Sequence, residues 1–158
     1  MKQGLHQLLA VTIAVMFVAG TVAGQEERGS CAEAKKMVEE AIEHMNEVGT
    51  AKAFDDFSTQ GGKWHNKDIY VFCYKMDGTN VCHGANRILI GKNLIDLKTA
   101  DGQFLIRNLI DIGQSKGSGW IDYQWPHPQT KKTEAKRSYV IKIPGYDGIV
   151  GAGCYWSK

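Results

Sequence analysis

Residues 69–94 read IYVFCYKMDGTNVCHGANRILIGKNL, and this stretch predicts the first strand pairing of the fold. Two runs of strand-forming residues flank Asp77-Gly78, a dipeptide typical of the type I′ hairpin turn, in which both central residues need a positive φ. With Asp77-Gly78 as a two-residue loop, Cys73 faces Cys82. The count places this pair at a non-hydrogen-bonded position, where facing Cα atoms approach most closely. The register therefore predicts a Cys73–Cys82 disulfide.

The first 24 residues have the pattern of a secretory signal peptide. Lys2 precedes an uncharged run from Leu8 to Val18, and small residues follow at Ala23 and Gly24. The uncharged run is shorter than the roughly 20 apolar residues that a membrane span needs. We therefore expect cleavage after Ala23 or Gly24, with an uncleaved membrane anchor as the alternative.

Residues 25–158 are predicted to form one domain, which is periplasmic or secreted after cleavage. It carries four cysteines, an even number, and pairs are expected in an oxidising compartment. A Cys73–Cys82 bond leaves Cys31 and Cys154, one near each end of the domain. Only the hairpin pair has a geometric argument, so the other pairings that four cysteines allow stay open. A Cys31–Cys154 bond would stabilise the fold by about 4–5 kcal/mol in the chain-entropy account.

Charge and motif content argue against several classes of function. Removal of Lys2 changes the formal charge from +2 to +1, and the charges of both signs are interspersed, which gives no support to nucleic-acid binding. The histidines are scattered and no metal-binding spacing occurs. A thiolate nucleophile at Cys82 is not expected because a paired cysteine cannot attack. We predict neither an enzyme nor a cofactor or metal site.

Hydrophobic spacing predicts an α+β domain. Ser30 and Glu33 form a capping-box pattern before an amphipathic helix over residues 31–48, and a short helix over 51–57 follows. A second amphipathic helix is predicted over 101–112, ended by Gly113. The strands after the hairpin are predicted at 120–125, 138–143 and 149–156. This order favours one antiparallel sheet with the long N-terminal helix packed on one face, leaving the other face for a pocket.

The chain resembles the single Cache domain of type 2 across essentially all of residues 32–156. The resemblance is carried by a combination of short motifs, namely Tyr70-Val71-Phe72, Asp77-Gly78, His83-Gly84-Ala85-Asn86, Leu89-Ile90-Gly91-Lys92-Asn93-Leu94, Gly117-Ser118-Gly119-Trp120, Asp122-Tyr123, Trp125-Pro126, Lys136, Ser138-Tyr139-Val140 and Gly151-Ala152-Gly153. It implies a PAS-like fold with a five- to six-stranded antiparallel sheet and a small-molecule pocket. It also implies an extracytoplasmic sensor of the kind found in histidine kinases and chemoreceptors, several of which respond to small organic acids.

The C-terminal strands offer the residue types that capture a carboxylate, which are a cation and hydrogen-bond donors among aromatic side chains. Strand alternation puts Arg137 on one face with Tyr139 and points Lys136 the other way. The Lys-x-x-Tyr pattern of the family nevertheless implies Lys136 as the carboxylate contact. Solvated charges at Lys136 and Arg137 are the alternative. The candidates in this region are Trp120, Tyr123, Trp125, Lys136, Arg137 and Tyr139.

The hairpin supplies two further candidates, Tyr70 and His83. Its predicted register pairs Tyr74 with Val81 and puts one set of side chains on a single face: Tyr70, Phe72, Tyr74, Val81 and His83. A core role for Tyr70 and a hydrogen-bonded structural role for His83 are the alternatives.

Together these features predict a stand-alone exported sensor domain. We expect it to bind a small carboxylate or similar metabolite and to signal through a separate membrane chemoreceptor or histidine kinase. The alternative is a structural or interaction module of the same fold, dimerising through its N-terminal helix, with a pocket that binds nothing.

Overall fold

The computed structural model describes residues 27–156, so the predicted signal peptide lies outside the described residues. The elements follow in the order α1 (Cys31–Val48), α2 (Thr50–Phe57), β1 (His65–Asn66), β2 (Ile69–Lys75), β3 (Asn80–His83), a 3₁₀ turn (Arg87–Leu89), α3 (Leu105–Lys116), β4 (Ser118–Pro126), β5 (Thr133–Lys142) and β6 (Gly148–Trp156). The prediction of an α+β domain with a long N-terminal helix is confirmed. None of the described helices is both long and apolar enough to cross a membrane.

The strands form one antiparallel sheet in the order β1-β2-β6-β5-β4, and β3 pairs with β2. The last strand, β6, therefore lies at the centre of the sheet between β2 and β5. This placement brings the hairpin next to the C-terminal strands that carry most of the candidate residues.

Helix α1 begins with the predicted capping box. The Glu33 amide donates to Ser30 Oγ at 3.1 Å, and the Ser30 amide donates to Glu33 Oε2 at 2.6 Å. An ion-paired hydrogen bond from Lys67, together with those from Ser30, lowers the pKa of Glu33 to about 2. The apolar stripe of α1, including Ala34, Val38 and Ala41, packs against the sheet face that carries the two disulfides.

Helix α3 covers the opposite face of the sheet, which the sequence left open for a pocket. It begins at Leu105 rather than near residue 101, and it continues past Gly113 to Lys116. Gly113 does not end the helix but lies against the sheet, where a Cβ would approach Ile149 Cγ2 to 2.5 Å. Gly117, at φ 76°, takes the capping position instead.

Both disulfides are present, with Cα–Cα separations of 4.9 Å for Cys73–Cys82 and 5.0 Å for Cys31–Cys154. The predicted pairing of Cys73 with Cys82 is confirmed, but the register on the turn side is wrong. A bulge after Cys73 pairs Tyr74 with Asn80 instead of Val81. Val81 therefore packs in the cluster beneath α1, away from the aromatic face of the hairpin.

Candidate ligand-binding site

Strand alternation in β5 points Lys136, Ser138 and Val140 toward α3, and all three are buried. Lys136 is the register partner of Tyr123 on β4 and of Tyr155 on β6. The three side chains therefore form one row across the sheet. Lys136 is 0% exposed, which is exceptional for a lysine.

The Lys136 ammonium is surrounded by aromatic rings. Its Nζ lies 3.8 Å from the ring centroid of Tyr70, 4.8 Å from that of Tyr155 and 5.6 Å from that of Phe72. Among the described residues, Nζ has no hydrogen-bond partner. Burial lowers the pKa of Lys136 well below its usual value, and the negative charge of Asp68 offsets part of this effect. Cation–π contacts do not replace the hydrogen bonds and counter-charge that a buried ammonium loses on leaving water.

Small residues in β6 make room for this side chain. A Cβ at Gly153 would lie 2.7 Å from Lys136 Cε and 2.2 Å from Ser138 Oγ. A Cβ at Gly151 would lie 2.6 Å from the Phe72 ring. The absence of side chains at Gly151 and Gly153 therefore lets the Phe72 ring and the Lys136 side chain lie close to β6 on this face.

Tyrosine hydroxyl groups form a second layer of the site. Tyr155 donates to the Pro126 carbonyl at 3.0 Å, so Tyr70 is the donor in its 3.0 Å hydrogen bond with Tyr155. Tyr123 shares a 2.8 Å hydrogen bond with Ser138. Burial raises the pKa of all three tyrosines above the ordinary value, so they remain neutral donors at physiological pH.

His83 contributes a neutral imidazole. Burial, followed by the positive charge of Lys136, lowers the pKa of His83 to about 3. Its Nδ1 accepts a hydrogen bond from the Asn86 amide at 3.0 Å, which assigns the ring proton to Nε2. His83 both anchors the loop after β3 and supplies an N–H donor at the site.

Two cavities adjoin these residues. The inner chamber has a volume of about 10 Å³ and is bordered by Lys136, Tyr123, Phe72 and the α3 residues Leu105, Ile106 and Leu109. The outer cleft has a volume of about 640 Å³ and lies between the segment 85–100 and the segment 124–133. Tyr70, His83 and Trp125 border both cavities. The inner chamber is about the size of one water molecule.

The structure brings five of the eight predicted site residues together around the inner chamber: Tyr70, His83, Tyr123, Trp125 and Lys136. The alternation of side chains along β5, rather than the Lys-x-x-Tyr pattern of the family, accounts for the inward direction of Lys136. No bulge in β5 is needed to turn Lys136 inward.

The other three predicted residues lie outside both cavities, so we remove them from the proposed site. Arg137 is exposed and forms a two-pronged ion pair with Asp122 at 2.5 and 2.6 Å. Trp120 is 38% exposed and contacts Tyr139, whose ring packs against the α1 side of the sheet. The odd parity of Arg137 and Tyr139 relative to Lys136 directs them away from α3, and Trp120 lies on the same face as its cross-strand partner Tyr139.

Sequence reasoning missed Tyr155 and the pair formed by Asp68 and His127. Tyr155 shares parity with Gly151 and Gly153, and this alternation of small and aromatic residues could have revealed it. His127 borders the outer cleft, and its Nε2 lies 3.3 Å from Asp68 Oδ2, with both side chains fully buried. These two residues are 59 positions apart, and no local pattern links them.

All four cysteines are paired, so Cys82 is not a thiolate nucleophile in this fold. Within residues 27–156, no three His, Cys, Asp or Glu side chains group as ligands for a metal ion. The groups that converge on the inner chamber are one buried ammonium, neutral phenols and a neutral imidazole. This set can bind and orient an anion.

The fold and this site define a PAS-like α+β domain with a small-molecule cavity between sheet, α3 and connecting loops. Residues 2–158 match the family model described as Single Cache domain 2, and the chain belongs to this family. Domains of this family are extracytoplasmic sensors that bind small ligands, which points to sensing rather than catalysis.

Relatives and solved structures agree with this assignment. The Sensor histidine kinase MctS of Rhizobium johnstonii is 34% identical over 91 residues, covering 58% of this chain and 20% of that protein. A methyl-accepting chemotaxis protein of Vibrio parahaemolyticus has a TM-score of 0.67 and 25% identity, covering 78% of this chain and 86% of that structure. A structure described as showing carboxylic acid recognition by a Cache chemosensory domain has a TM-score of 0.69 and 21% identity, covering 80% and 92%. The chain spans about a fifth of the length of MctS.

Proposed function

We propose that this chain is an exported sensor domain that binds a small carboxylate through Lys136. The observation that carries the proposal is the fully buried Lys136 ammonium, which has no hydrogen-bond partner among the described residues and adjoins the inner chamber. Keeping a buried lysine charged is costly when it has no hydrogen-bond partner and only the partial compensation that Asp68 provides. A bound carboxylate would supply both the charge and the acceptors that Nζ lacks.

The neighbouring donors fit the same ligand. The Nε2–H of His83 and the Tyr123 hydroxyl, whose hydrogen bond with Ser138 can be donated from either side, border the chamber with Lys136. The Tyr70 and Tyr155 protons are donated within the protein, and none of the side chains that border the chamber is acidic. Charge-assisted hydrogen bonds to such donors are short and strong. Recognition of carboxylic acid by another domain of the same fold is consistent with this chemistry.

The proposal extends to compartment and partner. A signal peptide over residues 1–24 would deliver the domain to the periplasm or the exterior, where the two disulfides are stable. The relatives include a sensor histidine kinase and a chemotaxis protein. We propose that the bound state is passed to a membrane protein of one of these two kinds.

The direct test is calorimetric titration of the purified, disulfide-bonded protein with acetate, propionate, pyruvate and butyrate. Binding should be lost in Lys136→Met and retained in Arg137→Met, which removes the adjacent but exposed cation. Equal affinity in wild type and Lys136→Met would show that Lys136 is not the carboxylate contact.

Binding should also be coupled to proton uptake. Because the pKa of Lys136 is lowered well below its usual value, a bound carboxylate raises it, and the lysine takes up a proton at pH values between the two. Titrations at one pH in buffers of different ionisation enthalpy measure this uptake. A binding enthalpy independent of the buffer would contradict the predicted change in charge.

The small size of the inner chamber favours one second candidate, an interaction module whose pocket binds nothing. A volume of about 10 Å³ does not admit even acetate unless side chains move. Thermal shifts separate the two candidates, since a ligand at 100 times its Kd adds about 2.7 kcal/mol to stability. If no carboxylate stabilises the protein and sedimentation shows a dimer that α1 variants disrupt, the second candidate is correct.

A further inference from the structure

The outer cleft is far larger than the inner chamber that adjoins Lys136. Its volume is about 640 Å³, against about 10 Å³ for the chamber. A two- or three-carbon acid bound at Lys136 would leave nearly all of the cleft unused. Cavities of 300–1,000 Å³ are typical of sites for larger small molecules.

The cleft walls are mainly apolar. Leucine side chains from the segment between β3 and α3 form one side, and Trp125 with two prolines forms the other. The apolar groups are Leu89, Leu94, Leu97, Trp125, Pro126 and Pro128. This composition suits a hydrocarbon or aryl group better than a second charged group.

Charge at the two cavities further restricts the ligand. None of the side chains that border them in the described part of the chain is Asp or Glu, whereas Lys98 and Lys131 lie at the exposed rim of the cleft. A ligand carrying an ammonium group would find no acidic partner here. The charge distribution favours an anion and disfavours amines and polyamines.

The cleft and the chamber are neighbours. Tyr70, His83 and Trp125 border both, so a molecule in the cleft needs only to pass these side chains to reach Lys136. The carboxylate and the apolar body of one ligand could then occupy the chamber and the cleft at the same time.

We infer that the ligand is an amphiphilic monocarboxylate, with an apolar chain of about four to eight carbons or an aryl ring packed in the outer cleft. This inference rests on the proposed function, since Lys136 binds the carboxylate in both. Entry of the carboxylate displaces the half-buried Trp125 side chain, while His83 stays in place as a donor, and the apolar body covers the opening.

The expected readout is a rise of affinity with chain length. Each methylene that moves from water into the cleft should increase the association constant about fourfold. Hexanoate should therefore bind at least tenfold more tightly than acetate, and phenylacetate should resemble hexanoate. Neutral 1-hexanol should bind more weakly than hexanoate, because it lacks the charge that Lys136 requires.

A matched pair of variants tests the location. Leu97→Asp places a carboxylate among the apolar walls of the cleft, and Ile88→Asp makes the same change nearby at a side chain that is 74% exposed and does not border the cleft. Leu97→Asp should weaken hexanoate binding at least tenfold and leave acetate within threefold, whereas Ile88→Asp should change neither. Leu97→Ala, with a smaller loss for hexanoate, serves if Leu97→Asp does not fold.

The outcomes separate the inference from the function on which it rests. Acetate binding that depends on Lys136, with no gain or a loss for hexanoate, would overturn the amphiphilic ligand and leave the carboxylate sensor standing. Hexanoate binding that is unchanged in Lys136→Met would also overturn it. If no acid from acetate to octanoate binds, the proposed function fails and the inference fails with it.

Discussion

The sharpest test of the buried ammonium is the stability of Lys136→Met without ligand. Methionine keeps the unbranched stem that packs against Tyr70, Phe72 and Tyr155, and it removes only the charged end. If Lys136 is kept for ligand binding although its burial destabilises the free protein, its replacement should have an unusual effect. The substitution should stabilise the free protein while it abolishes binding.

The change in the free energy of unfolding caused by Lys136→Met is the sum of two opposing contributions. The variant loses cation–π attraction to the surrounding rings, worth about 2 kcal/mol when desolvated. It also escapes the desolvation of an ammonium that has no hydrogen-bond partner among the described residues, which costs several kcal/mol. The net gain should be about 1–3 kcal/mol, and the corresponding rise in Tm is roughly 3–12 °C.

The gain should depend on pH in a defined direction. The pKa of Lys136 is lowered well below its usual 10.5 in the folded state, so the unfolded chain binds more protons between the two values. Wild-type stability therefore contains a component that rises with pH up to about 10.5, and the variant lacks it. The advantage of Lys136→Met should be largest below the folded pKa and shrink toward pH 10.

Urea unfolding followed by circular dichroism at several pH values measures these quantities. Arg137→Met is the control, because the exposed ion pair of Arg137 with Asp122 should be worth at most about 1 kcal/mol and should not produce this pH dependence. If Lys136→Met folds normally but is less stable than wild type at pH 7 by more than about 1 kcal/mol, the ammonium is satisfied in the free protein and our reasoning is refuted.

Two further predictions concern the imidazole and the disulfides. Because the pKa of buried His83 is lowered to about 3, the unfolded chain binds an extra proton between about pH 6.5 and pH 3, and stability falls as the pH falls through this window by at most about 1.4 kcal/mol per unit. His83→Gln should lose this contribution in urea titrations at pH 7.0, 5.5 and 4.5, and an unchanged slope would contradict it. Replacing Cys31 and Cys154 by Ala should destabilise the fold by about 5 kcal/mol, and replacing Cys73 and Cys82 by about 3 kcal/mol. The difference arises because the first bond spans 123 residues and the second spans 9. A larger loss of stability for the hairpin pair in urea unfolding would show that chain entropy does not dominate.

The C-terminal strands show which side-chain directions can be predicted from strand alternation alone. Parity alone separated Lys136 from Arg137, and the structure has this arrangement. Grouping Arg137 and Tyr139 with the pocket went against that parity. The structure places them on the α1 side or in solvent.

Other features were beyond local patterns. The bulge that moves Val81 to the other face lies beside a contact with the loop after β3, where the Asn80 amide donates to the Lys92 carbonyl at 2.9 Å. Gly113 had the sequence signature of a helix end, but its role is set by Ile149, which lies 36 positions later. Such contacts join segments that are far apart in the sequence, and no periodic pattern of residues predicts which of them will meet.

The sequence by itself determined the local structure of this protein: the capped N-terminal helix, the hairpin with facing cysteines, and the alternation that turns Lys136 away from Arg137. These features depend on hydrogen bonds and side-chain directions within a few residues. Only the tertiary structure decided that β6 lies between β2 and β5 and that α3 closes the second face. That arrangement surrounds Lys136 with rings from β2 and β6 and leaves it buried without a hydrogen-bond partner among the described residues. Burial is a property of the assembled layers, because it depends on which distant segments exclude water from a side chain.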